Sequence, residues 1–228
     1  MSSPQQEPVT DAAEPALPPL ANRIRVLVLQ HPQEQREDLA SGGLLQRSLS
    51  QTRRRVGLSW PSLKAAWGGE DPVRPESWAV LYLGARGETP AGTAPLLLVL
   101  DRKGNPVADQ AAARRLIGGI VLLDGTWAQA KTLWWRNPWL LKLARVQLNP
   151  SRPSLYGPLR REPRPGALST LEAAALALAE LEASPALQEA LLERFQSFLS
   201  RQRPAEPAPA SRRRPWRRNR RPRSRGDG

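Results

Sequence analysis

The segment that most limits the fold is Gly118-Gly119-Ile120-Val121-Leu122-Leu123-Asp124-Gly125-Thr126-Trp127-Ala128-Gln129-Ala130-Lys131. A short, unbroken apolar run ends in Asp-Gly, and a helical pattern begins at once. An apolar run without alternation reads as a strand buried on both faces, as in a parallel sheet covered by helices. Such a strand delivers its polar ending to the carboxyl edge of the sheet, where open α/β sheets bind ligands. Asp124, Thr126 and Trp127 are therefore the first candidates for chemistry.

The rest of the chain supplies partners for that strand. Residues 24–29 read as a first strand, emptying into His31-Pro32-Gln33-Glu34, and residues 39–49 carry loose helical spacing. Residues 53–58 rise toward a second, weaker strand. Residues 78–84 and 94–101 are short apolar strands, and residues 117–124 form the central one. A helix over 127–135 follows, then a strand over 140–148. The helix over 168–182 can be capped by Ser169 or Thr170, and its early Glu172 favours the positive helix start. Residues 186–199 form an amphipathic last helix. Strands alternating with helices predict an α/β fold with a mostly parallel sheet and flanking helices.

A chain of 228 residues holds one sizeable α/β domain with tails to spare. The composition divides it into a disordered tail over 1–21, a folded domain over 22–200 and a disordered tail over 201–228. The net charge of +13 is unevenly spread: residues 201–228 hold eleven arginines and two acids, while the other 200 residues carry 23 basic against 19 acidic side chains. With no cysteine there is no disulfide, no thiolate metal site and no catalytic thiol. No segment approaches the roughly 20 apolar residues that a membrane helix needs, and the first residues lack a signal-peptide pattern. The expectation is a soluble, cytoplasmic protein. No Walker loop and no Gly-x-Gly-x-x-Gly follows a strand, which leaves nucleoside triphosphatases and dinucleotide dehydrogenases without support.

Each polar cluster has a structural and a functional reading. Asp124 can cap the helix that follows it, or act as a proton acceptor beside a hydroxyl and an indole that stacks on a flat ring. His31, the one histidine, can stabilise its own turn or face the crevice. Arg160 and Arg161 lie either in a proline-stiffened solvated loop or where guanidinium groups fork onto phosphate or carboxylate near a helix start. Trp134, Trp135 and Trp139 read as core and rim aromatics ahead of base-stacking platforms. The arginine run over 212–221 with Trp216 reads as a solubilising tail or as a nonspecific RNA-contacting arm.

Taken in order, these residues resemble the DTW-domain family, the tRNA-uridine aminocarboxypropyltransferases. The resemblance rests on His31-Pro32-Gln33-Glu34, Gly43-Leu44-Leu45, Leu81-Tyr82, Leu123-Asp124-Gly125-Thr126-Trp127-Ala128-Gln129-Ala130, Arg160-Arg161-Glu162-Pro163 and Leu168-Ser169-Thr170-Leu171-Glu172-Ala173. It spans roughly residues 24–199. Two departures stand out. Members commonly carry N-terminal cysteines resembling a zinc cluster, absent here, so no metal is expected. Leu83 stands where members often have proline.

The resemblance implies a fold similar to the SPOUT methyltransferases, with a deep C-terminal knot. It also implies S-adenosylmethionine as donor, and transfer of its 3-amino-3-carboxypropyl group to N3 of a uridine in tRNA. On this reading Asp124, Thr126 and Trp127 are catalytic, with Asp124 as the base. Leu123, Ser169, Thr170 and Glu172 face the donor, the helix start meeting its carboxylate and Glu172 its ammonium. His31, Arg160 and Arg161 face the RNA. Two other functions share these features: a SPOUT-like RNA methyltransferase using the same donor, and a noncatalytic RNA-binding or ribosome-associated protein.

Overall fold

The computed structural model describes residues 17–81, 95–160 and 167–202. Its elements in chain order are β1 (Arg25–Gln30), α1 (Ser41–Ser48), β2 (Thr52–Val56), α2 (Leu63–Trp67), β3 (Trp78–Leu81) and β4 (Leu97–Leu100). They continue with α3 (Gln110–Leu116), β5 (Gly119–Asp124), α4 (Trp127–Arg136), β6 (Ala144–Leu148), α5 (Thr170–Glu182) and α6 (Pro185–Gln202). The expectations placed on Tyr82, Leu83, Arg161, most of the N-terminal tail and the arginine run lie outside the described residues.

The six strands form one sheet in the order β2-β1-β5-β3-β6-β4. All neighbours are parallel except β4, which runs antiparallel to β6. The mostly parallel α/β expectation therefore holds. Every residue of β5 is buried, and β1 and β5 split their side chains between two apolar layers. Val26, Val28, Ile120 and Leu122 pack with α1, α5 and α6 on one face. Leu27, Leu29, Val121 and Leu123 pack with Trp67, Trp78, Leu133 and Leu140 on the other. Each fully buried Leu or Val contributes roughly 1.5–3 kcal/mol, so this doubly covered strand pair anchors the domain.

Helix α5 is buried nearly all round because Ala173, Ala174, Ala175 and Ala177 leave room for the sheet and α6 to approach. At the far edge, Gln110 substitutes for a missing strand. Its amide accepts from Val99 N–H at 2.8 Å and donates to Val99 C=O at 2.9 Å, while Arg114 donates to Leu97 C=O.

Some elements differ from the sequence expectation. Leu140 lies in a 3-10 turn (Pro138–Lys142) opened by proline, and its apolar neighbours enter the core without extended backbone, which imitates a strand in sequence. The short helices α2 and α3, of five and seven residues, give no amphipathic period to read. Leu20, expected within the disordered N-terminal tail, bridges Leu49 because the end of α1 offers it a backbone partner. The last helix runs on to Gln202. Among the described residues no helix is long and apolar enough to cross a membrane.

Candidate active site

The register of β1 and β5 sets Gln30 beside Asp124, the last residues of adjacent parallel strands. Both side chains are buried, Asp124 at 2 % exposure. Gln30 Nε2 donates to Asp124 Oδ2 at 2.6 Å, and Thr170 Oγ1 at the start of α5 donates to Asp124 Oδ1 at 2.5 Å. Arg54 Nη1 in turn donates to Gln30 Oε1 at 2.7 Å. Gly42 in α1 abuts this carboxylate so closely that a Cβ there would collide with Oδ2. Burial raises the Asp124 carboxyl above the ordinary range. The hydrogen bonds from Thr170 and Gln30 oppose that rise, the Glu34 charge adds to it and the Arg160 charge reduces it.

Two capping boxes frame the carboxylate. Thr126 Oγ1 accepts from Gln129 N–H at 3.3 Å and Gln129 Oε1 accepts from Thr126 N–H at 2.7 Å, so Thr126 rather than Asp124 caps α4. Gly125 joins the two with φ of +152°, and a Cβ there would strike Gln129. At α5 the cap is Ser169, whose hydroxyl accepts from Glu172 N–H at 3.1 Å. Glu172 answers by accepting from Ser169 N–H at 2.9 Å, from Ser154 Oγ at 2.6 Å and from Leu155 N–H at 2.7 Å.

A cleft opens over this arrangement, with Asp124, Gly125, Thr126 and Trp127 on one side and Ala167 to Thr170 on another. Glu34, Ser41, Ser154, Tyr156 and Arg160 complete its lining. Arg160 donates to both oxygens of the buried Glu34, at 2.7 and 3.1 Å, and lies 5.7 Å from the Tyr156 ring centroid. The Tyr156 hydroxyl donates to Leu39 C=O at 2.6 Å, and burial raises its phenol above the usual value.

A family model described as the DTW domain matches residues 6–203. The chain belongs to the DTW-domain family. A Drosophila melanogaster protein named tRNA-uridine aminocarboxypropyltransferase 2 is 31% identical over 191 residues, covering 82% of this chain and 68% of that protein. A Macaca fascicularis protein of the same name is 31% identical over 193 residues, covering 82% of this chain and 58% of its own length. A Mus musculus protein, also of that name, is 43% identical over 81 residues, 36% of this chain and 27% of that protein. No solved structure matches the chain.

This DTW domain brings Asp124, Thr126, Trp127, Ser169, Thr170 and Arg160 to one cleft. Other candidates stand apart from it. The Leu123 side chain belongs to the core layer opposite Asp124. Glu172 is tied up by Ser154, Leu155 and its own cap. His31 continues the strand pairing through its N–H to Asp124 C=O at 3.0 Å, while its Nδ1 accepts from Gln33 N–H at 3.3 Å. The fork expected of Arg160 is made to Glu34.

Sequence reasoning passed over Gln30, Gly42, Ser154 and Tyr156. Gln30 had a usable signal, since a polar residue ends the buried first strand as Asp124 ends the central one.

Proposed function

We propose that this DTW domain transfers the 3-amino-3-carboxypropyl group of S-adenosylmethionine to N3 of a uridine in tRNA. The observation that carries the reading is the buried carboxylate of Asp124, its basicity raised by burial, at the floor of a cleft rimmed by Trp127. The names of the fly and macaque relatives support the same reaction class.

Uracil N3 is a poor nucleophile while it holds its proton, so a base beside it is the first requirement. Asp124 takes that proton, and N3 attacks the side-chain methylene bonded to the donor's sulfonium. The carbon–sulfur bond breaks, its electron pair stays on sulfur, and neutral methylthioadenosine leaves. Thr170 and Gln30 hold Asp124 in one rotamer, which fixes the direction of proton transfer. Trp127 offers its indole as a stacking face for the base.

The donor is amphipathic, and the cleft is too. Leu168, Ala167 and Tyr156 lie beside Ser169, Thr170 and Thr126, which suits an adenine at one end and an amino acid at the other. Glu172 then serves the donor indirectly, by fixing Ser169 and the 154–155 turn. Arg160 meets the RNA from the cleft wall, Arg161 and His31 serve the same substrate, and Leu123 supports the site from the core behind it. The reading includes a relation to the SPOUT methyltransferases, no metal, residues 22–200 as the catalytic unit and residues 201–228 as an arm for RNA phosphates.

Incubating the full chain with unmodified tRNA and S-adenosylmethionine, followed by nucleoside mass spectrometry, tests it. Aminocarboxypropyl-uridine is the expected product. Methyluridine would overturn the reading in favour of methyl transfer. No product, with RNA binding retained, would leave a noncatalytic RNA-binding protein.

A further inference from the structure

The three tryptophans around the end of α4 have different fates. Trp139 is buried and its Nε1 donates to Trp60 C=O at 2.9 Å. Trp134 is partly buried against the core, with the Arg145 guanidinium 5.6 Å from its ring centroid. Trp135 is 75 % exposed. Packing accounts for the first two and not for the third, since a large ring held in water contributes nothing to the fold and costs solubility.

Trp135 is not isolated. With Ala130 and Leu133 buried, α4 turns the opposite face outward, and Trp127, Lys131 and Trp135 follow one another along it at intervals of four residues. The stripe starts in the cleft, because Trp127 lines it, and runs about 12 Å along the helix axis at 1.5 Å per residue. Lys131 Nζ lies 5.7 Å from the Trp127 ring centroid. Arg136, Leu141 and Lys142, which follow Trp135 in the chain, are exposed as well.

The surrounding charge selects the occupant. From Trp127 to Lys142, along α4 and the turn after it, there is no acidic residue, and Lys131, Arg136 and Lys142 are exposed basic ones. An aromatic stripe whose own helix and turn carry only basic charge fits unstacked bases on a phosphate backbone and repels a basic protein surface.

We infer that the outer face of α4, through Trp127, Lys131 and Trp135, is a track for the unpaired nucleotides flanking the target uridine. The inference rests on the proposed RNA-modifying reaction. It makes the substrate's single-stranded character a requirement: Trp127 holds the base to be modified, Trp135 stacks on a neighbour, and Lys131 meets the phosphate between them.

The test uses the full chain and measures fluorescence anisotropy with labelled unmodified tRNA and with a fully paired RNA duplex of equal length. Trp135→Ala should weaken tRNA binding about ten-fold while leaving duplex binding and Tm unchanged. Trp135→Phe should restore most of the affinity, because a ring remains to stack. Lys131→Gln should lower the slope of log affinity against log salt by about one.

Equal tRNA affinity for wild type and Trp135→Ala would overturn the track while leaving the transferase reading intact. No tRNA binding by the wild type would sink both. A change in sedimentation on Trp135→Ala, with tRNA affinity unmoved, would make this face a contact between copies of the chain and overturn the inference.

Discussion

Gln30 and Asp124 end adjacent parallel strands side by side, and their side chains meet in a 2.6 Å hydrogen bond beneath the cleft. Gln30 has only a donor to offer there, because Arg54 claims its oxygen. A guanidinium can donate but never accept. The three residues thus form a one-way chain that ends on the carboxylate.

Replacing that carboxylate separates chemistry from folding. In Asp124→Asn the new Oδ1 accepts from Gln30, and Nδ2 donates to a Thr170 hydroxyl that turns to receive it, so every hydrogen bond survives. Turnover should fall by about 10²–10⁴, the range for losing a general base. The folded-state pKa of Asp124 is raised, so its contribution to stability is complete below the unfolded carboxylate value and is lost as pH rises through the folded one. At neutral pH the wild type carries that deficit and the Asn variant does not. Thermal melts should show the variant at least as stable as wild type at neutral pH, with the difference closing in acid. A matching loss of activity and Tm would assign Asp124 a purely structural role.

Arg54→Met should act on the pH profile. Without the guanidinium the Gln30 amide is free to turn over and present its oxygen to Asp124, which favours the protonated carboxyl. The acid limb of kcat/KM, already above the ordinary carboxylate range in wild type, should move to higher pH with little change in Tm. A limb that stays in place while tRNA affinity drops would make Arg54 a phosphate contact only.

The contrast between β5 and its supports shows what the sequence could reveal. The unalternating run over 119–124 announced a doubly buried strand, and its Asp-Gly-Thr ending located the cleft. Both are local patterns. Ser169 could be read as a cap from the Ser-x-x-Glu spacing for the same reason. The Gln30–Asp124 contact spans 94 residues and the Arg160–Glu34 pair spans 126. Such contacts depend on strand order, which no window of sequence contains. The antiparallel direction of β4 was hidden likewise, because the buried β4 shows no alternation in either orientation.

Glu34→Ala should unfold the cleft wall before it affects chemistry. It leaves the Arg160 guanidinium without its bidentate partner, and the Arg160 side chain is 29 % exposed, so water recovers part of the loss. A cost of about 1–3 kcal/mol is expected in urea unfolding, below the figure for a fully buried pair. Adding Arg160→Met should restore part of it.

Glu172→Gln tests whether this carboxylate is a tie or a ligand. Leu155 N–H and Ser169 N–H address different oxygens of Glu172, so an amide nitrogen must oppose one fixed donor. Stability should fall by about 1–3 kcal/mol, with donor affinity measured by calorimetry changing little below the melting range. A large loss of donor affinity at unchanged stability would make Glu172 a direct contact.

The two ends of the sheet share a further property. At β4 the N–H and C=O of Val99 are already taken by Gln110, and the Leu97 carbonyl by Arg114. At β2, Arg53, Arg54 and Arg55 place three positive charges on the last strand. A second copy bringing up the same edge would meet like charge at one end and saturated backbone at the other. A sheet with so apolar a centre is thereby kept from growing by strand addition, and Arg54, which steadies Asp124 through Gln30, also helps guard the protein against its own aggregation.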